Sequence, residues 1–278
     1  MGIGIAQVAA SVACIPRVTL IDASPAQIER GRRFMDALLA KDVAKGKLTA
    51  QQRDAALGRL HVAADGIPAL ADGCDFVIEA VSENPAVKRD IFSTLASTLP
   101  EDAVMATNTS SISVTRIGAS AGERADAVIG MHFMNPVPVI KLVEIIPGLA
   151  TSDATLARTL ALAHAMQKTT TMSRDMPGFI ANRILMPYIN EAIFALQDNI
   201  SSIGDIDTTM KLGTNVPMGP LTLADFIGLD TCLAIMRVLH TQLGDSKYRP
   251  APLLVQYVEA GYLGKKTGRG FYEYAAKP

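Results

Sequence analysis

A histidine and a glutamate on two neighbouring strand-like runs are the residues best suited to proton transfer in this sequence. His132 stands near the end of the run 127–133, and Glu144 lies in the run 141–146. Oxidising an alcohol requires a base that takes the hydroxyl proton while hydride leaves the carbon, and imidazole exchanges protons near neutral pH. A carboxylate on the other ring nitrogen would fix the tautomer and stabilise the imidazolium. Spacing alone still favours a simpler interpretation, in which the histidine lies on the surface and the glutamate is unrelated.

The N-terminal segment matches the second half of a dinucleotide-binding pattern. Gly2 and Gly4 open a helical segment, and Asp22 ends the strand-like run 17–22, about 20 residues after Gly2. In such a pattern the helix N-terminus carries the pyrophosphate, and the acid accepts hydrogen bonds from the adenosine ribose hydroxyls. By itself this half-pattern is equally well explained by a helix that starts with glycines and a strand that ends in an acid.

The elements that must position these residues alternate along the first part of the chain. Strand-like runs separated by helical stretches are typical of βαβ units and a largely parallel sheet. After 175–178 strand-like runs become scarce and long helical stretches dominate. We therefore predict a mostly parallel α/β domain over residues 1–175 and an all-helical domain over 176–278, interrupted near 213–217 and 244–252. The strand-like runs lie at 17–22, 74–81, 103–108, 127–133 and 141–146.

Composition excludes several classes of partner and site. The chain has 278 residues and a formal net charge of -1, so no strong field draws nucleic acid or an anionic membrane surface. Its cysteines are scattered without a CxxC pair, which argues against a metal site and suits a reducing cytoplasm. Residues 1–16 carry no charge, but the stretch is too short to span a membrane and has no basic start typical of a signal peptide. We expect a buried amphipathic helix there.

Several long segments together resemble the 3-hydroxyacyl-CoA dehydrogenase family, and within it the bacterial 3-hydroxybutyryl-CoA dehydrogenases. The matches run nearly from end to end, and the last two, in the helical part, are the most specific. The matching segments are GIGIAQVAA, VTLIDASP, FVIEAVSEN, TNTSSIS, MHFMNPVPVIKLVEII, DMPGFIANRILMPYINEA, KLGTNVPMGPLTLADFIGLD and GYLGKKTGRGFYEY.

The resemblance implies a catalytic set. The histidine of HF-x-NP is the family's general base and matches His132, and the glutamate of KLVE orients it and matches Glu144. The first serine of NTSS, Ser110, contacts the substrate oxygen, and the asparagine of PGFIANR, Asn182, also lies at the substrate. These matches reverse the simpler interpretation of the His132–Glu144 pair.

The resemblance also implies that the first domain is a Rossmann-like domain that binds NAD as cofactor, and that the substrate is an acyl-CoA. Gly2 matches the last glycine of the fingerprint, and Asp22 matches the acid that holds the adenine ribose. Glu83 and Lys88 match positions near the nicotinamide half of the cofactor. Asn108 and Asn135 lie in the same motifs, with roles that are less well defined. Lys45 and Lys47 belong to a charged helical stretch that is typical of a solvated face, although a phosphate-bearing substrate such as CoA could use them.

The expected reaction is the reversible oxidation of (S)-3-hydroxybutyryl-CoA, or another short 3-hydroxyacyl-CoA, to the 3-oxoacyl-CoA. The family further implies a homodimer formed through the helical domain. Two alternatives stay open: a related dehydrogenase of another 3-hydroxy acid, and a non-catalytic relative that lacks its cofactor. The intact residues at 110, 132, 144 and 182 disfavour the second.

The sequence departs from the family pattern at its start. There the family has a strand followed by G-x-G-x-M-G, in which Gly2 would be the last glycine and Met1 the methionine before it. We therefore expect the first strand and the first two fingerprint glycines to be missing, because of a misplaced gene start or a shortened expression product. Strands next to the missing one would stay unpaired, and unmade buried hydrogen bonds cost about 1–3 kcal/mol each. The expectation is weak NAD binding and marginal folding.

Overall fold

The computed structural model describes residues 1–63, 65–71 and 73–274, which form two compact units. The first unit is Met1–Met176 and the second begins at Pro177. The first contains α1 (Gly2–Ser11), β1 (Val18–Leu20), α2 (Pro25–Ala44), α3 (Ala50–Gly58), β2 (Leu60–Val62), β3 (Phe76–Glu79), α4 (Pro85–Thr98), β4 (Val104–Thr107), α5 (Val114–Ala119), β5 (Val128–Phe133), β6 (Leu142–Pro147), α6 (Asp153–Ala165) and β7 (Thr169–Met172). The second contains α7 (Ala181–Gln197), α8 (Ile203–Gly213), α9 (Pro220–Ile227), α10 (Leu229–Leu243) and α11 (Pro252–Glu259).

The larger sheet of the first unit has the strand order β3-β4-β5-β6-β7 among the described residues. The strands β3, β4 and β5 are mutually parallel, whereas β6 runs antiparallel to β5 and β7 runs parallel to β6. The reversal at β6 follows from chain length, because a parallel crossover needs a dozen or more residues and the segment 134–141 is shorter. The sheet is therefore mostly parallel, as predicted, with one antiparallel pair at its centre.

A smaller sheet, in which β1 and β2 pair in parallel, stands apart from the larger one. Among the described strands β1 is hydrogen-bonded to β2 alone, and β3 to β4 alone.

The core of the first unit places α1 and β5 together. Every residue of β5 is buried, and Ile5 and Val8 of α1 belong to the same apolar cluster as Met131 and Val143. The N-terminal segment is thus the buried helix that the apolar spacing predicts. At Gly130 an added Cβ would stand 2.8 Å from Cγ2 of Val114, so glycine permits the close approach of α5 to β5.

The second unit is helical around its own apolar core, as predicted, and the gaps between α8 and α9 and between α10 and α11 overlap the predicted breaks. Buried carboxylates tie its C-terminal segment to the helices. Asp225 accepts hydrogen bonds from the backbone N–H of Phe271 and Tyr272, both at 2.9 Å, and from the Tyr274 hydroxyl at 3.0 Å. In the described part of the chain, every helix is too short or too polar to cross a membrane.

Candidate active site

His132 and Glu144 meet directly across the antiparallel pair. The register of β5 and β6 sets the two residues opposite each other, and His132 Nδ1 lies 2.8 Å from Glu144 Oε2. Both side chains are buried, with 7% and 1% of their surface exposed. A buried carboxylate that accepts a hydrogen bond from Nδ1–H leaves Nε2 as the basic nitrogen. This contact is the arrangement that a histidine needs in order to act as a general base through Nε2.

The loop that carries Ser110 begins at the same edge of the sheet. It follows β4, which runs parallel to β5, and the Asn108 Oδ1 accepts a hydrogen bond of 2.8 Å from the backbone N–H of Phe133. This bond links the start of the loop to the residue after His132. We call residues 108–113 the serine loop. Its position beside the carboxyl end of β5 is where α/β proteins bind ligands.

Glu83 binds the serine loop rather than facing away from the protein. Its Oε1 accepts hydrogen bonds from the hydroxyl of Thr109 at 2.6 Å and from the backbone N–H of Ser110 and Ser111, both at 2.9 Å. Burial alone would raise the pKa of Glu83, but these hydrogen bonds and the charge of Lys88 outweigh it and lower the pKa. The carboxylate therefore stays ionised and holds the loop through its charge.

Lys88 lies in the protein interior. Its Nζ donates to both carboxylate oxygens of Glu79, at 2.7 and 2.9 Å, and lies 3.5 Å from Glu83 Oε2. None of the Lys88 side chain is exposed. The role near the cofactor that the resemblance implies for Glu83 and Lys88 stays a prediction.

The turn after β5 carries Asn135, which is exposed. Behind this turn Lys168 Nζ donates hydrogen bonds to the carbonyl oxygens of Val137 and Ile140, the latter at 2.8 Å. Burial lowers the pKa of Lys168. The lysine therefore fixes the chain that leads from His132 to β6.

The start of α1 lies at the same edge of the sheet. An added Cβ at Gly2 would stand 3.9 Å from Ala80 Cβ, just beyond β3, and one at Gly4 would stand 3.1 Å from Val137 Cβ. The helix has no side-chain hydrogen bond at its N-cap and no acidic residue in its first turn. An N-terminus of this kind suits a pyrophosphate, because its N–H groups and dipole favour negative charge.

The exposed Asp22 lies just beyond β1, where its Oδ1 accepts a 2.8 Å hydrogen bond from the backbone N–H of Ser24. A carboxylate there fits ribose hydroxyls.

Lys45 caps the C-terminal end of α2, and Lys47 lies in the turn that follows; both are exposed. Asn182 is a buried residue in the first turn of α7, in the second unit. The predicted roles of these three residues and of Asp22 are untested by the geometry.

Sequence reasoning missed two carboxylates that hold the serine loop and its surroundings. Glu79 is buried at the end of an otherwise apolar strand, which is itself a signal, because buried charges are paired or functional. Asp175 accepts hydrogen bonds from the Ser113 hydroxyl at 2.7 Å and from the backbone N–H of Val114 and Thr115. It thereby holds the far end of the loop, where α5 starts. Its partners lie some 60 residues earlier, so local patterns give no sign of it.

Comparison with known proteins decides the family. Residues 1–176 match the model for the 3-hydroxyacyl-CoA dehydrogenase NAD binding domain, and residues 178–274 match the model for the family's C-terminal domain. The chain belongs to the 3-hydroxyacyl-CoA dehydrogenase family. The predicted family, α/β-then-helical fold and NAD cofactor are thereby confirmed.

Individual relatives match along the whole chain. A probable 3-hydroxybutyryl-CoA dehydrogenase of Bacillus subtilis is 50% identical over 100% of this chain and 95% of its own length. A 3-hydroxybutyryl-CoA dehydrogenase of Bradyrhizobium diazoefficiens is 51% identical over 100% of this chain and 94% of its own. The crystal structure of (S)-3-hydroxybutyryl-CoA dehydrogenase from Ralstonia eutropha superimposes with a TM-score of 0.94 at 46% identity, covering 99% of this chain and 96% of that one.

Proposed function

We propose that this member of the family catalyses the reversible oxidation of (S)-3-hydroxybutyryl-CoA to acetoacetyl-CoA. The observation that carries the proposal is the buried 2.8 Å contact between His132 and Glu144 at the ligand-binding edge of the sheet. Similarity to relatives of that name supports the four-carbon acyl chain and the S configuration.

The proposed chemistry removes one proton and one hydride from the substrate. NAD, when bound, supplies the acceptor for the hydride that leaves C3. His132 Nε2 takes the hydroxyl proton, and Glu144 stabilises the imidazolium that forms. The C3–H and O–H bonds break and the carbonyl forms, so the reverse direction returns the proton from His132 to the oxygen.

The remaining site residues position the reactants. The Ser110 hydroxyl binds the substrate oxygen, and the family pattern assigns Asn182 the same kind of contact. The N-terminal turn of α1 at Gly2 receives the cofactor's pyrophosphate, and Asp22 its adenosine ribose. Because a carboxylate repels a 2'-phosphate, Asp22 favours NAD over NADP.

We further propose that the chain forms a homodimer through the helical unit. Large apolar side chains of this unit are exposed, among them Ile184 at 67% and Leu212 at 74%. Exposed apolar surface of this kind is typical of an interface.

The cysteines Cys14, Cys74 and Cys232 are all free, which supports a reducing compartment, and we propose the cytoplasm.

A substrate panel tests the proposed reaction. NADH formation is measured with (S)- and (R)-3-hydroxybutyryl-CoA, with free 3-hydroxybutyrate and with longer 3-hydroxyacyl-CoAs. We expect the highest kcat/KM for the S four-carbon thioester. A higher kcat/KM for the free acid would contradict the CoA assignment and favour a dehydrogenase of another 3-hydroxy acid. No turnover with any compound, in a folded chain that also fails to bind NADH, would favour the non-catalytic alternative that lacks its cofactor.

A further inference from the structure

The ion pair beneath the serine loop is almost completely shielded from solvent. The side chains of Lys88 and Glu79 are 0% and 2% exposed, and Lys88 Nζ also lies 3.5 Å from Glu83. The ammonium group of Lys88 thus forms ion pairs with two carboxylates, those of Glu79 and Glu83. A buried ion pair adds little stability compared with a packed apolar pair, because desolvation offsets its attraction. The pair is therefore better explained by the groups that it holds in place than by a gain in stability.

The two oxygens of Glu83 face different partners. Oε1 accepts the hydrogen bonds from the serine loop, namely from Thr109 and from the backbone of Ser110 and Ser111. Oε2 is the oxygen that faces Lys88. The Glu83 side chain is 36% exposed, so packing alone does not fix its orientation. Its orientation depends mainly on Lys88, which faces one oxygen, and on the serine loop, which binds the other.

Glu79 ties this arrangement to the sheet. Besides Lys88, its Oε1 accepts a hydrogen bond from the backbone N–H of Val81, and its Oε2 one from the Thr107 hydroxyl, both at 2.7 Å. Thr107 is the last residue of β4, directly before the serine loop. A continuous path of hydrogen bonds, with one 3.5 Å ion pair between Lys88 and Glu83, therefore runs from β3 and β4 to the backbone of Ser110.

We propose that Glu79 and Lys88 are positioning residues: the buried pair fixes the Glu83 carboxylate, and Glu83 in turn fixes the backbone of Ser110 and Ser111. Neither residue of the pair touches the substrate in this scheme. The effect of the Glu79–Lys88 pair on turnover rests on the proposed function, in which Ser110 binds the reacting oxygen. The effect of the pair on the order of the serine loop is independent of that function.

The test compares Lys88→Met, the double variant Glu79→Gln/Lys88→Met, and the control Arg89→Met. Arg89 is the next residue on α4, and its side chain is 64% exposed. The double variant removes both charges of the pair, so it stays folded even where Lys88→Met alone leaves a buried carboxylate unpaired. The glutamine introduced at position 79 can keep the hydrogen bond from the Val81 N–H on its amide oxygen, while its NH2 group donates to the Thr107 hydroxyl.

The first readout is hydrogen exchange at the amides of Ser110 and Ser111, measured by NMR or by mass spectrometry. We expect at least about tenfold faster exchange in the double variant, because Glu83 loses its fixed orientation, with Met105 and Ile129 in the sheet unchanged. The control should match the wild type. Exchange at Ser110 and Ser111 within about twofold of wild type in a folded double variant would overturn the proposal.

The second readout separates positioning from a purely structural role and from a cofactor contact. We expect kcat to fall about 10- to 100-fold while KM for NAD and for the thioester change by less than about twofold, since misplacement by an ångström costs about that much. A large rise in KM for NAD with kcat intact would make Lys88 a cofactor contact and refute the proposal. Wild-type kcat in the folded double variant would refute it too. An inactive wild type would refute only the proposed function. Hydrogen exchange would still test whether the Glu79–Lys88 pair keeps the serine loop ordered.

Discussion

Replacing Glu144 with Gln should reduce turnover without loosening cofactor binding. The change keeps the shape of the side chain and removes its charge, 2.8 Å from His132 Nδ1 and with 1% of the side chain exposed. Removing one partner of a buried charged pair costs about 3–5 kcal/mol. Here the cost falls mainly on the state in which His132 carries the proton, because only that state has the charge that Glu144 stabilises.

At about 1.4 kcal/mol per factor of ten, this cost corresponds to a fall in kcat of about 10²- to 10⁴-fold. The assay is the initial rate of NADH formation from (S)-3-hydroxybutyryl-CoA at saturating concentrations, with the Kd for NADH measured by calorimetry. Glu123→Gln makes the same chemical change on an exposed side chain and serves as the control. If Glu144→Gln retains kcat within about threefold of wild type, the carboxylate does not support the base, and the proposed mechanism is wrong.

Three further predictions concern the cofactor, the assembly and stability. Asp22→Ala should raise the ratio of kcat/KM for NADP to that for NAD by about tenfold, because the carboxylate that repels a 2'-phosphate is gone; an unchanged ratio would remove Asp22 from the ribose site. Ile184→Glu, which places a charge on an apolar side chain that is 67% exposed, should halve the mass seen by light scattering and leave the helical circular dichroism intact; an unchanged mass would exclude this face as the dimer contact. Burial is the largest cause that raises the pKa of Asp225, with the nearby Asp207 adding to it. The folded state therefore binds the proton more tightly than the unfolded state, and the free energy of unfolding falls as pH rises from the ordinary aspartate pKa to the raised one. Urea titrations across that range should show a flatter dependence for Asp225→Asn; an equal slope would exclude Asp225 as its source.

Most of the fold follows from local patterns, because apolar runs and helical spacing are set by which residues must be buried. Two strands were not predicted. β7 reads Thr-Thr-Thr-Met and has no apolar alternation, so its strand character comes from pairing with β6. β2 has three residues, too few for a pattern, and depends on its pairing with β1.

The candidate site, too, is only partly predictable from the sequence. His132 and Glu144 are visible in the sequence as chemical types, but their contact depends on the antiparallel register of β5 and β6, which spacing alone leaves open. The short segment between the two strands is the signal that would have predicted it. The partners of Glu83 are harder to foresee, because Ser110 lies 27 residues away and meets it only once β3 and β4 are paired.

The most direct test of the proposed mechanism is the turnover of (S)-3-hydroxybutyryl-CoA by His132→Ala beside the wild type. We predict that kcat falls at least about 10²- to 10⁴-fold, the usual contribution of a general base, while the Kd for NADH stays within about twofold. A His132→Ala protein that oxidises the thioester at the wild-type rate would contradict the central claim that His132 is the base of this dehydrogenase.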